Sequence, residues 1–215
     1  MQAIIFDLDG TLIDSMMVWD KVCQDYLAIR GIPYHGDIGL EIKNMSFLES
    51  ALYYIEKFAL RDTVDQIIDE WQTKARQAYA ESIALKEGVR EFLAKLQGKG
   101  IKLAVATSTD RELVELVLNR HGILPLFQII VTVQEAGIGK DNPDFFRTVA
   151  KELGVKPEAC LVFDDCLHAV YGAKKAGMKV WAVYDERSVH ERPELERIAD
   201  RYIESFKAME PTDLC

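Results

Sequence analysis

No apolar stretch in this chain approaches the roughly 20 residues needed to cross a bilayer, so no membrane role is expected. Basic residues are in deficit. Lys and Arg number 26 against 35 Asp and Glu, a formal charge of -9, which disfavours nonspecific nucleic-acid binding. The same deficit requires that any anionic substrate be met by locally placed cations. Cysteine is scarce, and Cys23, Cys160, Cys166 and Cys215 make no C-x-x-C pair, so reduced thiols in a cytoplasmic protein are the expectation. The histidines His35, His121, His168 and His190 are scattered and make no case for zinc. The N-terminus runs straight into an apolar segment, with no basic-then-apolar signal pattern. Internal repeats and low-complexity tracts are also missing.

What remains is a chain of 215 residues, 49% hydrophobic, long enough for one large domain or for a core with a smaller inserted domain. Five short apolar runs read as strands: Ala3 to Phe6, Leu103 to Ala106, Ile129 to Val133, Cys160 to Phe163 and Val180 to Val183. From the second run onward they alternate with helical patterns such as Val89, Phe92, Leu93 and Leu96, or Phe146, Val149, Ala150 and Leu153. Thr109 with Glu112 reads as a capping box, and Asn142-Pro143 as an N-cap followed by proline at the first helical position. Doubly buried strands alternating with helices predict an α/β fold with a Rossmann-like, doubly wound parallel sheet. Residues 15–84 break the alternation. There Val18, Val22, Tyr26 and Leu27 form one helical stripe, Ser46 to Glu49 resembles a capping box, and Asp62-Thr63 opens a longer helix. This segment is expected to be an inserted α-helical domain, with 1–14 and 85–215 forming the core and hinges near Asp14 and Leu85 to Gly88.

The most informative residues close the first strand. Asp7-Leu8-Asp9-Gly10-Thr11-Leu12 places two carboxylates at i and i+2, so that in an extended segment both leave one face of the chain. Such a D-x-D-G-T-[LV] string should arise by chance roughly once in a few thousand chains of this length. A strand ending in an Asp-Gly turn explains the glycine. It does not explain acids at the end of a core strand, which cost free energy unless paired, and for which a divalent cation is the natural partner. In open parallel sheets ligands bind beyond the carboxyl ends of the strands. Thr107-Ser108-Thr109 follows the second strand, Asp164-Asp165 the fourth, and Lys140 lies in the loop Gly137-Ile138-Gly139-Lys140 before the Asn142 helix. Hydroxyls, one lysine and four carboxylates should converge on one rim. Taken singly, the hydroxyls could be only a helix N-cap cluster and the lysine a solvated loop charge; adjacent acids at a strand end repel unless a cation sits between them.

In combination these segments resemble the haloacid dehalogenase-like phosphatase superfamily, in the branch with a helical cap inserted after the first motif. The matching stretches are DLDGTL at Asp7 to Leu12, VATST at Val105 to Thr109, GKDNPDFF at Gly139 to Phe146 and LVFDDCLHAVYGAKKAGM at Leu161 to Met178. Beta-phosphoglucomutases, phosphoglycolate phosphatases and sugar-phosphate phosphatases share this pattern. The resemblance implies that Asp7 attacks phosphorus to form an aspartyl-phosphate and that Asp9 protonates the leaving alcohol. It also implies Mg²⁺ held by the Asp7 side chain, the Asp9 carbonyl and Asp165, with Asp164 acting largely through water. Lys140, Thr107 and the backbone around Ser108 would hold the phosphate, and Gly10 would let the backbone approach.

Three replacements distinguish the chain from a mutase. Phe47, Asp110-Arg111 and Trp19 stand where beta-phosphoglucomutases carry a cap arginine, a Lys-Asn pair and a cap histidine. The fourth motif reads Asp164-Asp165-Cys166 rather than Glu-Asp-Ser, a shortening by one methylene that water can bridge, and Ala169 replaces a usual glycine. Neighbouring carboxylates should hinder thiolate formation at Cys166, so that thiol is expected to be inert. Met16, Met17 and Trp19 could cover a leaving group or simply pack as core. Lys43 and Asn44 could reach polar parts of a substrate or be solvated, and Arg111 could contact an anion or make a surface salt bridge. The expected function is a cytoplasmic, Mg²⁺-dependent phosphatase hydrolysing a small phosphorylated metabolite, a sugar or polyol phosphate. The rivals are a phosphosugar mutase and a noncatalytic binding or regulatory protein that reuses the fold. Oligomeric state is not readable from the residues.

Overall fold

A computed structural model describes residues 1–33, 38, 42, 45 and 47–214, with the backbone alone at Trp19 and Phe47. Lys43, Asn44, Ser46 and Cys215 therefore lie outside the described residues. The chain divides into two compact units, Met1–Ser15 with Ala84–Cys215, and Met16–Ile83, where the sequence pattern placed the divisions at 14/15 and 84/85.

The first unit is built on six parallel strands: β1 (Ala3–Phe6), β2 (Lys102–Thr107), β3 (Ile129–Thr132), β4 (Cys160–Asp164), β5 (Lys179–Val183) and β6 (Arg201–Ile203). Their spatial order is β3-β2-β1-β4-β5-β6, the doubly wound Rossmann arrangement. Phe6 stands opposite Val105 on one side and Phe163 on the other, so the carboxyl ends of β1, β2 and β4 are level. That register brings the acidic ends of β1 and β4 side by side.

Period-two alternation assigns each strand residue to one of two cores. Ala3, Ile5, Ala104, Ala106, Val162 and Val180 pack with Phe145, Phe146, Val149, Ala169 and Val170 on one face. On the other, Phe6 stacks on Phe163 at 5.2 Å and meets Phe92 edge-on at 6.5 Å, while Phe206 lies 5.2 Å from Phe163. Fully buried aromatics of this kind contribute heavily. Truncating one to alanine costs about 3–5 kcal/mol, enough to endanger the fold of the whole unit.

The second unit contributes helices α1 (Met16–Ile29), α2 (Phe47–Phe58) and α3 (Val64–Glu81). Thr63 caps α3 in a reciprocal capping box with Gln66, as the Asp62-Thr63 signal predicted. Val22, Tyr26, Leu27, Tyr54, Ile67 and Trp71 form its own core, with Tyr54 edge-on to Trp71 at 4.9 Å. Arg30 closes it, its guanidinium forking onto Asp62 at 2.8 and 3.1 Å and reaching Glu70 at 2.9 Å.

Back in the first unit the helices are α4 (Val89–Leu96), α5 (Arg111–Arg120), α6 (Val133–Ala136), α7 (Pro143–Leu153), α8 (Leu167–Lys175) and α9 (Arg192–Ile198). Asn142 caps α7 by accepting the Asp144 N–H at 3.0 Å, with Pro143 at the first helical position. Three sequence expectations are corrected. Val133 begins α6 instead of ending β3, because Thr132 already forms a capping box with Glu135. Thr109 does not cap α5, whose N-cap is Asp110 without a side-chain bond. A sixth strand is present, too short and polar at Arg201-Tyr202-Ile203 to show as an apolar run. Among the described residues no helix is long and apolar enough to cross a membrane.

Candidate active site

β1 delivers Asp7 and Asp9 to the rim. The Asp7 N–H donates to the Phe163 carbonyl at 2.9 Å, which continues the sheet bonding one residue past the strand. Gly10 then turns at φ 78°, and a Cβ there would stand 2.7 Å from the Asp165 carboxyl carbon. Glycine is thus required twice over, by backbone conformation and by space.

The carboxylate oxygens of Asp7, Asp164 and Asp165 lie within 4.8 Å of one another, all buried. Into this cluster Lys140 brings its ammonium, 2.8 Å from Asp7 Oδ1 and 2.5 Å from Asp164 Oδ2. Lys140 is only 5% exposed, so it is no solvated loop charge. Burial would lower its pKa, but the Asp164 and Asp7 carboxylates outweigh that and hold it above its ordinary value. Burial pushes Asp7 well above the usual carboxylate range, opposed by Lys140 and reinforced by Asp164 and Asp165. Asp165 is pushed up to about 7 by burial and by the charges of Asp164 and Asp185.

Three buried carboxylates against one ammonium leave negative charge in excess. Asp164 Oδ2 touches Lys140 as an ion pair but accepts no hydrogen bond of regular geometry. Hard oxygen donors with surplus charge suit a divalent cation such as Mg²⁺, and the residues present fit one.

Hydroxyls orient the acids. Thr11 Oγ1 donates to Asp165 Oδ1 and Ser188 Oγ to Asp165 Oδ2, each at 3.0 Å. Ser15 Oγ and Thr109 Oγ1 donate to the two oxygens of Asp9, each at 2.6 Å. Asp164 Oδ1 accepts the Cys166 N–H at 2.9 Å. Thr107 is buried at the end of β2, its hydroxyl oxygen accepting the Thr109 N–H at 3.1 Å, and Ser108 is exposed beside it. Sequence reasoning missed Ser15, Thr11 and Ser188 as carboxylate partners. It read Thr109 both as a cap and among the hydroxyls on the rim; the hydroxyl serves Asp9. Only proximity to the D-x-D-G-T string could have flagged Thr11 and Ser15; Ser188 carries no local signal.

Arg111, also singled out from the sequence, opens α5. Arg111 hydrogen-bonds Glu135 at 2.5 and 2.8 Å and the Ile130 carbonyl at 2.7 Å. That pairing holds the Glu135 carboxyl down to about 2. Met16 opens α1 half-buried, Met17 is exposed, and Trp19 is described by its backbone alone. The Cys166 thiol, 3.2 Å from His168 Nδ1, is pushed upward by burial and by Asp164 and Asp165, which disfavours the reactive thiolate.

A profile described as haloacid dehalogenase-like hydrolase matches residues 1–177. The chain belongs to the haloacid dehalogenase-like hydrolase family. It is an enzyme of that family, 31% identical over 180 residues to the phosphorylated carbohydrates phosphatase of Thermotoga maritima, with 83% of each chain covered. It is 26% identical over 195 residues to hexitol phosphatase B of Escherichia coli, covering 82% of this chain and 81% of that one. Among solved structures, a Thermotoga maritima protein provisionally assigned as a beta-phosphoglucomutase superposes with a TM-score of 0.83 at 27% identity, covering 96% of both chains. The residues matched by the family include Asp7, Asp9, Lys140, Asp164 and Asp165.

Proposed function

We propose that this hydrolase is a Mg²⁺-dependent phosphatase acting on a small organic phosphomonoester, a sugar or polyol phosphate, through an aspartyl-phosphate on Asp7. The observation that carries the reading is the buried cluster of Asp7, Asp164 and Asp165 around one lysine at level strand ends. A relative named for phosphorylated carbohydrates and one named for hexitol phosphates support the substrate class.

In the first step an Asp7 oxygen bonds to phosphorus as the ester P–O bond breaks, and Asp9 gives its proton to the departing alcohol oxygen. In the second, water attacks phosphorus, its proton passes to Asp9, and the Asp7–phosphorus bond breaks, restoring both carboxyls. Lys140, already charged and held against Asp7, neutralises the phosphoryl oxygens, and Thr107 with the backbone near Ser108 positions them. The Asp7 side chain, the Asp9 carbonyl and Asp165 would hold Mg²⁺, with Asp164 supporting them. Bound there, the cation neutralises charge on the transferring group. Ser15 and Thr109 fix the direction in which the Asp9 carboxyl presents itself.

A mutase reading draws on the structural neighbour assigned to that activity. Against it stand Phe47, Asp110-Arg111 and Trp19 in place of a mutase's cap arginine, Lys-Asn pair and cap histidine, two of the three changes removing a cation, and an Arg111 already engaged with Glu135. Phosphate release from a generic aryl phosphate, followed by a panel of phosphorylated metabolites, tests the proposal. Mg²⁺-dependent release by wild type and none by Asp7→Asn is expected. A product that keeps its phosphate and a need for a bisphosphate activator would support the mutase. No turnover of any phosphate would leave a binding protein.

A further inference from the structure

Asp165 is gripped from both sides by hydroxyls that sit on two different loops. Thr11 belongs to the turn after β1, and Ser188 to the 3-10 segment Glu186–Glu191 after β5. Each hydroxyl takes one lone pair of one carboxylate oxygen and leaves the charge, with the remaining lone pairs, for a cation. The direction in which those lone pairs point therefore depends on how the two loops are held relative to each other.

One side chain joins them. Lys86 Nζ donates to the Gly10 carbonyl at 2.8 Å, to the Tyr184 carbonyl at 2.6 Å and to Asp185 Oδ2 at 2.8 Å. An ammonium has three N–H groups, and all three are used. Gly10 immediately precedes Thr11. Asp185 caps the segment that carries Ser188, its Oδ1 accepting the Arg187 N–H at 2.9 Å. The Lys86 backbone is fixed as well, its N–H donating to the Leu12 carbonyl at 3.0 Å beside the Asp14 to Ala84 bond at 2.9 Å. The Lys86 side chain is 15% exposed and that of Asp185 3%, so the pair is shielded from solvent competition.

We infer that Lys86 is a positioning residue for the metal-side carboxylate, joining the Gly10-Thr11 turn to the Asp185-Ser188 segment so that their two hydroxyls aim Asp165. This rests on the Mg²⁺-dependent reading of the site. Charge alone predicts the opposite effect of losing Lys86, since removing a cation near a cation site should tighten metal binding. Positioning predicts that binding weakens.

The experiment is calorimetric titration of the purified chain with Mg²⁺ alone, for wild type, Lys86→Met, Lys86→Arg and Ser188→Ala, with thermal unfolding recorded for each. Lys86→Met and Ser188→Ala should each weaken Mg²⁺ binding about 10-fold or more, the range seen for groups that support a ligand without touching the metal. Lys86→Arg should recover part of the loss by keeping a donor set in place. Wild-type or tighter Mg²⁺ affinity in Lys86→Met, or wild-type affinity in a fully folded Ser188→Ala, overturns the inference. If Lys86→Met does not fold, Ser188→Ala decides by the same criterion, because it removes only one hydroxyl from the same linkage. Wild-type protein that binds no Mg²⁺ would refute the underlying functional reading instead, and would show itself before any variant is compared.

Discussion

Gly172 lies on α8, away from any reacting atom, yet its replacement should disable the site. A Cβ at that position would stand 1.9 Å from the Lys140 carbonyl oxygen, 3.0 Å from the Lys140 carbonyl carbon and 3.2 Å from the Asp141 carbonyl carbon. Ordinary contact begins near 3.4 Å, so Gly172→Ala must separate the Lys140 backbone from α8 by about 1.5 Å. The obstructing atoms are backbone, which cannot swing aside as the end of a flexible side chain can. Lys140 Nζ sits 2.8 Å from Asp7 and 2.5 Å from Asp164, and a shift of that size takes it out of hydrogen-bond range of at least one. Overpacking alone costs about 1–3 kcal/mol. A misplacement near 1 Å can cost about 100-fold in rate. The assay is phosphate release from an aryl phosphate beside urea unfolding. Gly172→Ala should lose about 100-fold in kcat/KM and about 1–3 kcal/mol in stability. Gly122→Ala, where an added Cβ meets nothing within 4 Å, should lose stability through its positive φ of 68° while keeping its rate. Wild-type kcat/KM in Gly172→Ala would refute the claim that α8 sets the position of the lysine.

Mg²⁺ binding should depend on pH with a defined sign. Burial and the charges of Asp164 and Asp185 push the Asp165 carboxyl up to about 7, above its unfolded value, so its protonated form stabilises the chain at low pH and the contribution is lost as pH rises from about 4 to about 7. On the proposed reading Mg²⁺ displaces that proton, so the rise in Tm on adding Mg²⁺ should be small at about pH 5.5 and large at about pH 8; an equal rise at both contradicts the assignment. Thr109→Val removes a hydroxyl bond to Asp9, made at 2.6 Å, and should lower kcat by up to about 10-fold with little change in KM, since a hydrogen bond is worth about 0.5–1.5 kcal/mol. An unchanged kcat would mean that Thr109 does not orient the acid.

The parts of the fold visible in the residues are those whose physics is local. Strands buried on both faces must be apolar throughout, so β1 to β5 stand out; β6 is three residues long, begins with an exposed arginine and lies at the edge of the sheet beside β5, so it does not. The D-x-D-G-T string was legible because both acids and the turn glycine fall within six residues. Lys140 could be placed on the rim from its loop, and a place beside the phosphate was implied by the family resemblance. Its closer approach to Asp164 depends on α8 admitting the Lys140 carbonyl at Gly172. The capping-box reading of Thr109 failed, though not its place among the rim hydroxyls, because a hydroxyl three residues before a glutamate satisfies the capping pattern whether or not a carboxylate competes for it. Ser188 and Lys86 were invisible for a simpler reason: their partners lie 23 and 76 to 99 residues away, and nothing in their neighbours announces those contacts.

The most direct test of the account is rapid acid quench of a single turnover with a radiolabelled phosphate ester, followed by peptide mapping of the protein-bound label. Transient label on the peptide containing Asp7, appearing before free phosphate and absent in Asp7→Asn, is the predicted result. Label on any other residue, or phosphate released at full rate by Asp7→Asn, would contradict it.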